Sequence, residues 1–353
     1  MDAAATPRLT GFSHGAGCAC KLGPEDLTAV LGALGPSVSP AEVLVSEETG
    51  DDAAVWALPD GRALIATIDV FTPVVDDPFD WGRIAAANAL SDVYAMGGEP
   101  ALALNMAGWP VDELPVAMLT DVLRGGRAVA SEAGVAVVGG HTITTERVPL
   151  YGMVAIGFAD PARLIRNDGA SPGMDLVLTK PLGIGIVTTA IKRGIASSSQ
   201  AGAAIAAMTT LNAGASRAAL RAGVLAGTDV TGFGLLGHLR RMLEASGCSA
   251  RIDAGAVPTL EGVLDLARRD VVPGGTKRNH AWLGPLTDWG ELTVPEQLVI
   301  ADAQTSGGLL LATPDAGALF ETLTAEGVQG VRVGTCIEGD PGRIEVAGRL
   351  AMA

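Results

Sequence analysis

The sequence predicts an α+β fold of two domains. Apolar segments of strand and helix character alternate along the chain without the strict strand–helix–strand rhythm of a doubly wound sheet. A length of 353 residues is typical of two domains that each bury a core. Residues 160–173 contain two prolines and several charges, and this segment is the best candidate for the linker between the domains.

The first half of the chain is predicted to begin with two strands, a short one around Val55 and a longer one over Ala63–Val70. A long alanine-rich helix follows over Trp81–Met96, with Asp80 as its expected N-cap and Gly97-Gly98 at its end. The elements predicted next are a strand over Ala101–Met106, a helix over Val111–Ala133, and strands over Val135–Val138 and Leu150–Phe158.

The second half is predicted to contain a strand over Asp175–Thr179 and an apolar strand over Leu309–Ala312. Helices are expected over about 186–194, 199–222 and 235–246. Between the last two helices lies a glycine-rich stretch from Gly227 to Gly234 that contains Asp229. No repeat of fixed period is present, which excludes a solenoid or propeller.

The composition excludes two classes of partner. The net formal charge is −15, from 39 acidic and 24 basic residues, so nucleic acid and anionic membrane surfaces would be repelled. The longest uncharged stretch, Gly194–Ser216, carries Ser, Thr, Gln and Asn throughout and is too polar to span a bilayer. A phosphate-bearing ligand would need a bridging cation at so acidic a surface.

Four cysteines in a chain of this length do not form a disulfide framework. Residues 1–12 lack an apolar core followed by a cleavage site, so no signal peptide is expected. We therefore predict a cytoplasmic protein with reduced thiols, in which Cys248 and Cys336 are packing residues.

The stretch Ser13–Lys21 brings Cys18, Cys20 and Lys21 together behind a histidine and two glycines. A thiol beside a cation is readily held as the nucleophilic thiolate, and small residues let the backbone approach a ligand closely. From these residues alone, a reactive arm and a flexible leader with incidental cysteines are equally good interpretations.

Several carboxylates lie at predicted strand ends, beside glycine, or inside an apolar helix; they are Asp51, Asp52, Asp69, Asp92 and Asp229. Singly, each is best explained as a cap or turn residue. Together, and without soft ligands, they suit Mg²⁺, which binds oxygen ligands and bridges phosphate groups. The pattern favours a nucleotide–metal site.

Other motifs are weaker. Gly232-Phe-Gly234-Leu-Leu-Gly237 matches the dinucleotide fingerprint, but no clean apolar strand precedes it. No lysine is followed by Ser or Thr, which excludes a P-loop. Cys18 and Cys20 have the wrong spacing for zinc and lack a second pair. His238, at a helix start, is expected to be structural.

Six motifs, in order over about Leu9 to Ala312, resemble those of the selenophosphate synthetase (selenide, water dikinase) family: His14-Gly-Ala-Gly-Cys18-Ala-Cys20-Lys21, Asp51-Asp52-Ala-Ala-Val, Asn88-Ala-Leu-Ser-Asp92, Gly139-Gly-His141, Thr228-Asp229-Val-Thr-Gly-Phe-Gly and Gln304-Thr-Ser-Gly-Gly. The acidic and Gly-Phe-Gly motifs are similar to those of a wider superfamily that includes aminoimidazole ribonucleotide synthetase and thiamine-monophosphate kinase. The Gly-Cys-x-Cys-Lys leader is the discriminating motif.

The resemblance implies a two-domain aminoimidazole ribonucleotide synthetase-like fold, a homodimer whose N-terminal domain sheets pair, and synthesis of selenophosphate from selenide, water and ATP with release of AMP and orthophosphate. It implies a flexible catalytic arm over 1–22, an N-terminal ATP- and metal-binding dimerisation domain over 23–160, and a C-terminal α+β domain over 161–353. Selenide itself or a selenium-delivery protein would supply the selenium.

The resemblance also implies residue roles. Cys18 matches the catalytic cysteine, and Lys21 matches an essential lysine that contacts ATP phosphates. Asp52, Asp92 and Asp229 match the Mg²⁺-binding aspartates. The matched ATP-binding positions are Thr49, Gly50, Asp51, Asp69 and Asp92, with Gly140, His141 and Thr142 contributed by the neighbouring subunit. Two alternatives stay open: another ATP-using superfamily member, which would not need Cys18 and Lys21, and a non-catalytic selenium or metal carrier.

Overall fold

The computed structural model describes residues 7–13, 15, 29–30, 32–33, 40–46 and 50–351. Over these ranges the chain forms a six-stranded and a seven-stranded sheet with helices packed against them. This arrangement confirms the predicted α+β class. The described helices include none that is both long enough and apolar enough to cross a membrane.

The N-terminal sheet consists of β1 (Val43–Val45), β2 (Ala54–Ala57), β3 (Ala63–Phe71), β4 (Glu99–Trp109), β5 (Ala136–Thr144) and β6 (Leu150–Ala159), in the spatial order β1-β2-β3-β6-β4-β5. Neighbouring strands are antiparallel except β4 and β5, which run parallel. As the last strand in this order, β5 forms one edge of the sheet. Its apolar residues Val138 and Ile143 are 61% and 44% exposed in the single chain.

Two helices, α1 (Pro78–Ala95) and α2 (Val116–Glu132), pack tightly against each other in the N-terminal domain. A Cβ atom on Gly82 of α1 would lie 1.9 Å from the Val122 carbonyl oxygen, and one on Gly125 of α2 would lie 2.0 Å from the Phe79 carbonyl oxygen. Because even a methyl group would clash with backbone at both positions, only glycine permits this contact.

The predicted starts of both helices are wrong by a few residues. α1 begins at Pro78 rather than Trp81, and its N-cap is Asp77, whose carboxylate accepts a hydrogen bond from the Asp80 N–H at 2.8 Å. Proline suits the first helical turn because its missing N–H has no intrahelical partner there. α2 begins at Val116 rather than Val111, because Pro115 precedes it in an extended conformation and the residues before it form a turn.

The C-terminal sheet consists of β7 (Asp175–Leu178), β8 (Ala226–Asp229), β9 (Ser249–Asp253), β10 (Thr287–Asp288), β11 (Leu309–Thr313), β12 (Val331–Ile337) and β13 (Ile344–Ala347), in the order β10-β13-β9-β12-β7-β11-β8. β8 lies at the edge of this sheet, where it pairs antiparallel with β11, and an isolated parallel bridge joins its Ala226 to Arg166. The Asp229 side chain at its end is thereby placed at the boundary with the N-terminal domain, where α1 contacts β8.

The helices of the C-terminal domain are α3 (Ile184–Lys192), α4 (Ser198–Thr209), α5 (Ala213–Arg221), α6 (Gly234–Ser246), α7 (Val263–Arg268), α8 (Gly274–Leu283), α9 (Val294–Ile300) and α10 (Ala316–Ala325). The single helix predicted over 199–222 is wrong, because α4 and α5 are separated by residues 210–212. The Asn212 side chain donates to Ser91 Oγ at 2.8 Å and to the Gly307 carbonyl at 2.9 Å. These tertiary bonds hold Asn212 at the break between the two helices.

Candidate functional site

The candidate site lies where α1 of the N-terminal domain meets the end of β8. Ser91 Oγ donates a 2.5 Å hydrogen bond to Asp229 Oδ2, and both residues are buried. Asp229 ends β8 immediately before the glycine-rich turn that leads into α6. A buried carboxylate is costly without a partner, so this contact both stabilises Asp229 and fixes its orientation.

Asp52 lies against the same strand end. Thr228 Oγ1 donates to Asp52 Oδ1 at 2.8 Å, and the Asp229 N–H donates to Asp52 Oδ2 at 3.4 Å. Burial, followed by the negative charge of Asp229, raises the pKa of the Asp52 carboxyl well above its ordinary value, although the bond from Thr228 opposes the shift. Two carboxylates, one buried and one half-buried, therefore lie close together.

Asp52, Asp229 and His238 each offer one ligand atom, and these three atoms lie within 4.8 Å of one another. His238 lies in the first turns of α6, and its Nε2 is 3.2 Å from Thr231 Oγ1. A divalent cation fits this donor set, since it would relieve the repulsion that raises the pKa of Asp52. Asp92 is not part of this compact group.

Asp92 on α1 and Asp69 on β3 instead lie at the contact between these two elements. Thr67 Oγ1 donates to Asp92 Oδ2 at 2.5 Å, and Asn88 Nδ2 donates to Asp69 Oδ2 at 2.5 Å. The other amide atom of Asn88, Oδ1, accepts from the Ser306 N–H at 2.7 Å. Asn88 of α1 thus connects the Asp69 carboxylate of the N-terminal sheet to the loop at Ser306 in the C-terminal domain.

Gly50 and Asp51 contact the segment that joins the domains. The Asn167 N–H donates to Asp51 Oδ1 at 2.6 Å, and Asn167 Nδ2 donates to the Gly50 carbonyl at 2.9 Å. Gly50 has a φ of 64°, a left-handed conformation that favours glycine. The loop entering β2 is therefore held by bonds from the interdomain segment.

Gly140, His141 and Thr142 lie on β5, apart from the aspartates, and are exposed in the single chain. The strand pairing places Gly140 beside Asn105, Asn105 beside Met153, and Met153 beside Asp69. Three strand spacings amount to about 14 Å, so Gly140 and Asp69 are not in contact within a single chain. A Cβ on Gly140 would lie 2.2 Å from the Asn105 carbonyl oxygen, which requires glycine there.

Cys18, Lys21 and Thr49 lie outside the described residues. Their positions relative to the aspartates are therefore not described, and their assigned roles stay predictions. Between residues 16 and 39 the structure describes residues 29, 30, 32 and 33, which are helical.

Three basic residues near the site were missed or undervalued in the sequence. His238 was assigned only a structural role, yet it faces Asp52 and Asp229 as well as Thr231. Arg241, one turn later on α6, interacts electrostatically with Asp52, while burial lowers its own pKa. The available signal was their spacing of three residues on the helix that follows the Thr228–Gly234 motif, which places both on one face.

Lys180 is the third of these residues. Its Nζ donates to the Thr210 carbonyl at 2.7 Å and to the Ser306 carbonyl at 3.0 Å. Burial lowers the pKa of Lys180 to about 7, although the charge of Asp229 opposes the shift. Lys180 therefore fixes the backbone at Ser306, the same residue whose N–H donates a hydrogen bond to Asn88 Oδ1.

Comparison with known proteins agrees with this arrangement. Residues 50–159 match the family model "AIR synthase related protein, N-terminal domain", and residues 171–347 match "AIR synthase related protein, C-terminal domain". A protein from Thermus thermophilus with a solved structure superposes with a TM-score of 0.71 at 20% identity, covering 94% of this chain and 98% of that one. At that identity the likeness supports the fold alone.

Curated relatives are much closer in sequence. The chain is 48% identical to the selenide, water dikinase of Bordetella bronchiseptica, covering 96% of this chain and 98% of the relative. It is 49% identical to the selenide, water dikinase of Myxococcus xanthus, covering 97% of each. The chain belongs to the selenide, water dikinase family, within the AIR synthase related proteins.

Proposed function

We propose that the protein catalyses ATP-dependent synthesis of selenophosphate from selenide and water, with release of AMP and orthophosphate. The observation that carries this function is the 44–49% identity to several proteins named selenide, water dikinase over nearly the whole chain. The interdomain cluster of carboxylates supports it, since a metal-bound polyphosphate is a substrate that such a cluster suits.

We assign Asp52, Asp92 and Asp229 as the residues that hold Mg²⁺. The proximity of Asp52 and Asp229, and the raised pKa of Asp52, support two of these assignments directly. When bound, the metal would neutralise charge on the phosphates of ATP. The bonds from Ser91 and Thr228 would keep both carboxylates aimed at the same position before the nucleotide arrives.

The nucleotide would be bound by five residues of the N-terminal domain: Thr49, Gly50, Asp51, Asp69 and Asp92. Gly140, His141 and Thr142 would act on the ATP of a neighbouring subunit, because they lie about 14 Å from Asp69 within one chain. The exposed Val138 and Ile143 on the same edge strand support a homodimer formed through this sheet.

Cys18 and Lys21 would carry the chemistry. The Cys18 thiolate would assist delivery of a small, soft and easily oxidised selenium species. It would carry selenium covalently, as a perselenide, only when a delivery protein donates zero-valent selenium, because a sulfur–selenium bond to selenide would need a two-electron oxidant. The Lys21 ammonium would neutralise charge that develops on the transferred phosphoryl group. The selenium would come from selenide or from a selenium-delivery protein, and we place the protein in the cytoplasm.

The function can be tested by ³¹P NMR of the protein with Mg-ATP and selenide under anaerobic conditions. Formation of selenophosphate together with AMP is the expected result. Formation of ADP instead would identify a kinase of the same superfamily, and the absence of any turnover would indicate a selenium or metal carrier.

A further inference from the structure

The segment just before the Gly-Cys-x-Cys-Lys stretch is bonded to both domains. Residues Leu9–Phe12 form a 3₁₀ turn, and the side chain of Leu9 is completely buried in the main hydrophobic cluster. Burial of one leucine is worth roughly 2 kcal/mol. This turn is therefore an anchored part of the fold, and the anchor lies on the N-terminal side of Cys18.

The N-terminal domain holds the turn through Asp76. One carboxylate oxygen of Asp76 accepts from the Thr10 N–H at 3.0 Å and from Thr10 Oγ1 at 2.6 Å. The other accepts from Arg8 Nε at 2.8 Å. The Arg8 guanidinium also reaches α3 of the C-terminal domain, where Nη2 donates to the Ile191 carbonyl at 2.9 Å.

Ser13 is held from two sides. Its hydroxyl is 2.6 Å from Thr72 Oγ1, directly after strand β3, and it also donates to the Gly15 carbonyl. Its carbonyl accepts a short hydrogen bond from Lys192 Nζ, at the end of α3. A bond from an ammonium to a carbonyl is stronger than one between neutral groups. Lys192 thus connects the C-terminal domain to the last anchored residue before the reactive stretch.

This anchor limits where Cys18 can go. Cys18 is five positions after Ser13, and a fully extended chain over those five steps spans at most about 18 Å. Thr72 follows Asp69 by three residues along β3, which is about 10 Å of strand. The fixed position of Ser13 is therefore compatible with Cys18 reaching the candidate nucleotide site.

We propose that Lys192 is a positioning residue, which together with Asp76 and Thr72 fixes the start of the segment that carries Cys18 and Lys21 relative to both domains. The inference rests on the proposed function for its catalytic consequence. Lys192 acts through the Ser13 backbone and need not contact either substrate.

The test uses K192M, which removes the ammonium but keeps the length of the side chain. We expect kcat for selenide-dependent AMP formation to fall about tenfold, as for loss of one charge-assisted hydrogen bond. The KM for Mg-ATP should change less than about twofold, because Lys192 contacts none of the aspartates. K192R should restore kcat, and R193M is the matched control, since Arg193 bonds the Asp270 carbonyl instead.

A second measurement does not depend on activity. Hydrogen exchange of the peptide spanning residues 8–15 should become about tenfold faster in K192M and in T72V, and stay unchanged in R193M. Unchanged exchange in both K192M and T72V, or faster exchange with full kcat, would overturn the proposal. If the parent protein makes no AMP, the proposed function fails, while the exchange rates still decide whether Lys192 holds this segment.

Discussion

Ser91 Oγ lies 2.5 Å from Asp229 Oδ2, and this bond joins a helix of the N-terminal domain to the end of a strand in the C-terminal domain. Ser91 also accepts a hydrogen bond from Asn212. The Asp229 carboxylate is thus oriented by a residue of the other domain, so the candidate metal site exists only when the two domains are packed together.

Replacing Ser91 by alanine tests this relationship. S91A leaves the Asp229 carboxylate and the Asn212 amide each short of one partner, so we expect the free energy of unfolding to fall by about 2 kcal/mol. The affinity for Mg-ATP should weaken about fivefold to tenfold, because Asp229 loses its fixed orientation. Urea unfolding and calorimetric titration would measure these effects. S131A, at an exposed position of α2, should match the parent in both.

Replacing Asp52 by asparagine should separate stability from metal binding. Burial beside Asp229 raises the pKa of Asp52, so the free energy of unfolding of D52N should exceed that of the parent by about 1–2 kcal/mol in EDTA near pH 8. The stabilisation of the parent by millimolar Mg²⁺ should disappear in D52N. Thermal unfolding with and without Mg²⁺ measures both, with D60N at an exposed loop as control. A Mg²⁺-induced shift of the parent's size in D52N would exclude Asp52 as a ligand.

Replacing Cys18 by serine should abolish selenide-dependent AMP formation, because a hydroxyl does not provide a nucleophile comparable to the thiolate at neutral pH. Binding of Mg-ATP should persist, since the aspartates are untouched. Anaerobic assays of AMP release and calorimetry with Mg-ATP would measure the two properties. C248A, which alters a buried cysteine of the C-terminal domain, is the thiol control. Wild-type rates in C18S would refute the assigned role.

The exposed edge strand predicts where a second subunit binds. V138K places a charge on β5, where Val138 is 61% exposed, and should shift the protein from dimer to monomer in light scattering. The KM for ATP should rise, because Gly140, His141 and Thr142 would no longer reach a neighbouring site. V116K, at a position 59% exposed on α2, is the matched control and should stay dimeric. A dimeric V138K would place the interface elsewhere.

Asp302 predicts a pH dependence of stability. Burial raises the pKa of Asp302 to about 7, although the hydrogen bonds from Thr276 and Gln304 lower it. The folded state then binds more protons than the unfolded state between about pH 4 and 7, so the free energy of unfolding should fall as the pH rises through this range. This pKa shift can change the free energy of unfolding by at most about 4 kcal/mol over the range.

The D302N variant should show a flatter dependence over the same range. Urea unfolding at several pH values measures the slope, and D265N, at an exposed position of α7, should retain the parent's slope. An identical slope in D302N and the parent would show that another group is responsible.

The sequence predicted the ends of elements well where a strong terminating signal, such as paired glycines, follows them. The end of α1 was predicted within one residue because Gly97-Gly98 follows it. The break between α4 and α5 was missed, because the alanine-rich stretch contains no strong stop. Asn212 is held there by Ser91 and Gly307, residues far away in sequence, and no local pattern reports such partners.

The candidate site shows the same division. Asp52 and Asp229 were among the five carboxylates grouped from the sequence and, with Asp92, among the metal ligands implied by the family resemblance; the structure places these two together. Lys180 was missed because its importance comes from burial and from the carbonyls of Thr210 and Ser306. Neither property is visible in the residues next to it.

The paired glycine contacts between α1 and α2 have a consequence for motion. At Gly82 and Gly125 the backbones of the two helices are in direct contact. A shift of one helix over the other would therefore bring backbone atoms into collision. We expect the pair to move as one body with the N-terminal sheet. Any change in spacing between the domains during turnover would then displace Asn88 and Ser91 together, so the bond from Ser306 to Asn88 and the bond from Ser91 to Asp229 would lengthen or shorten in concert.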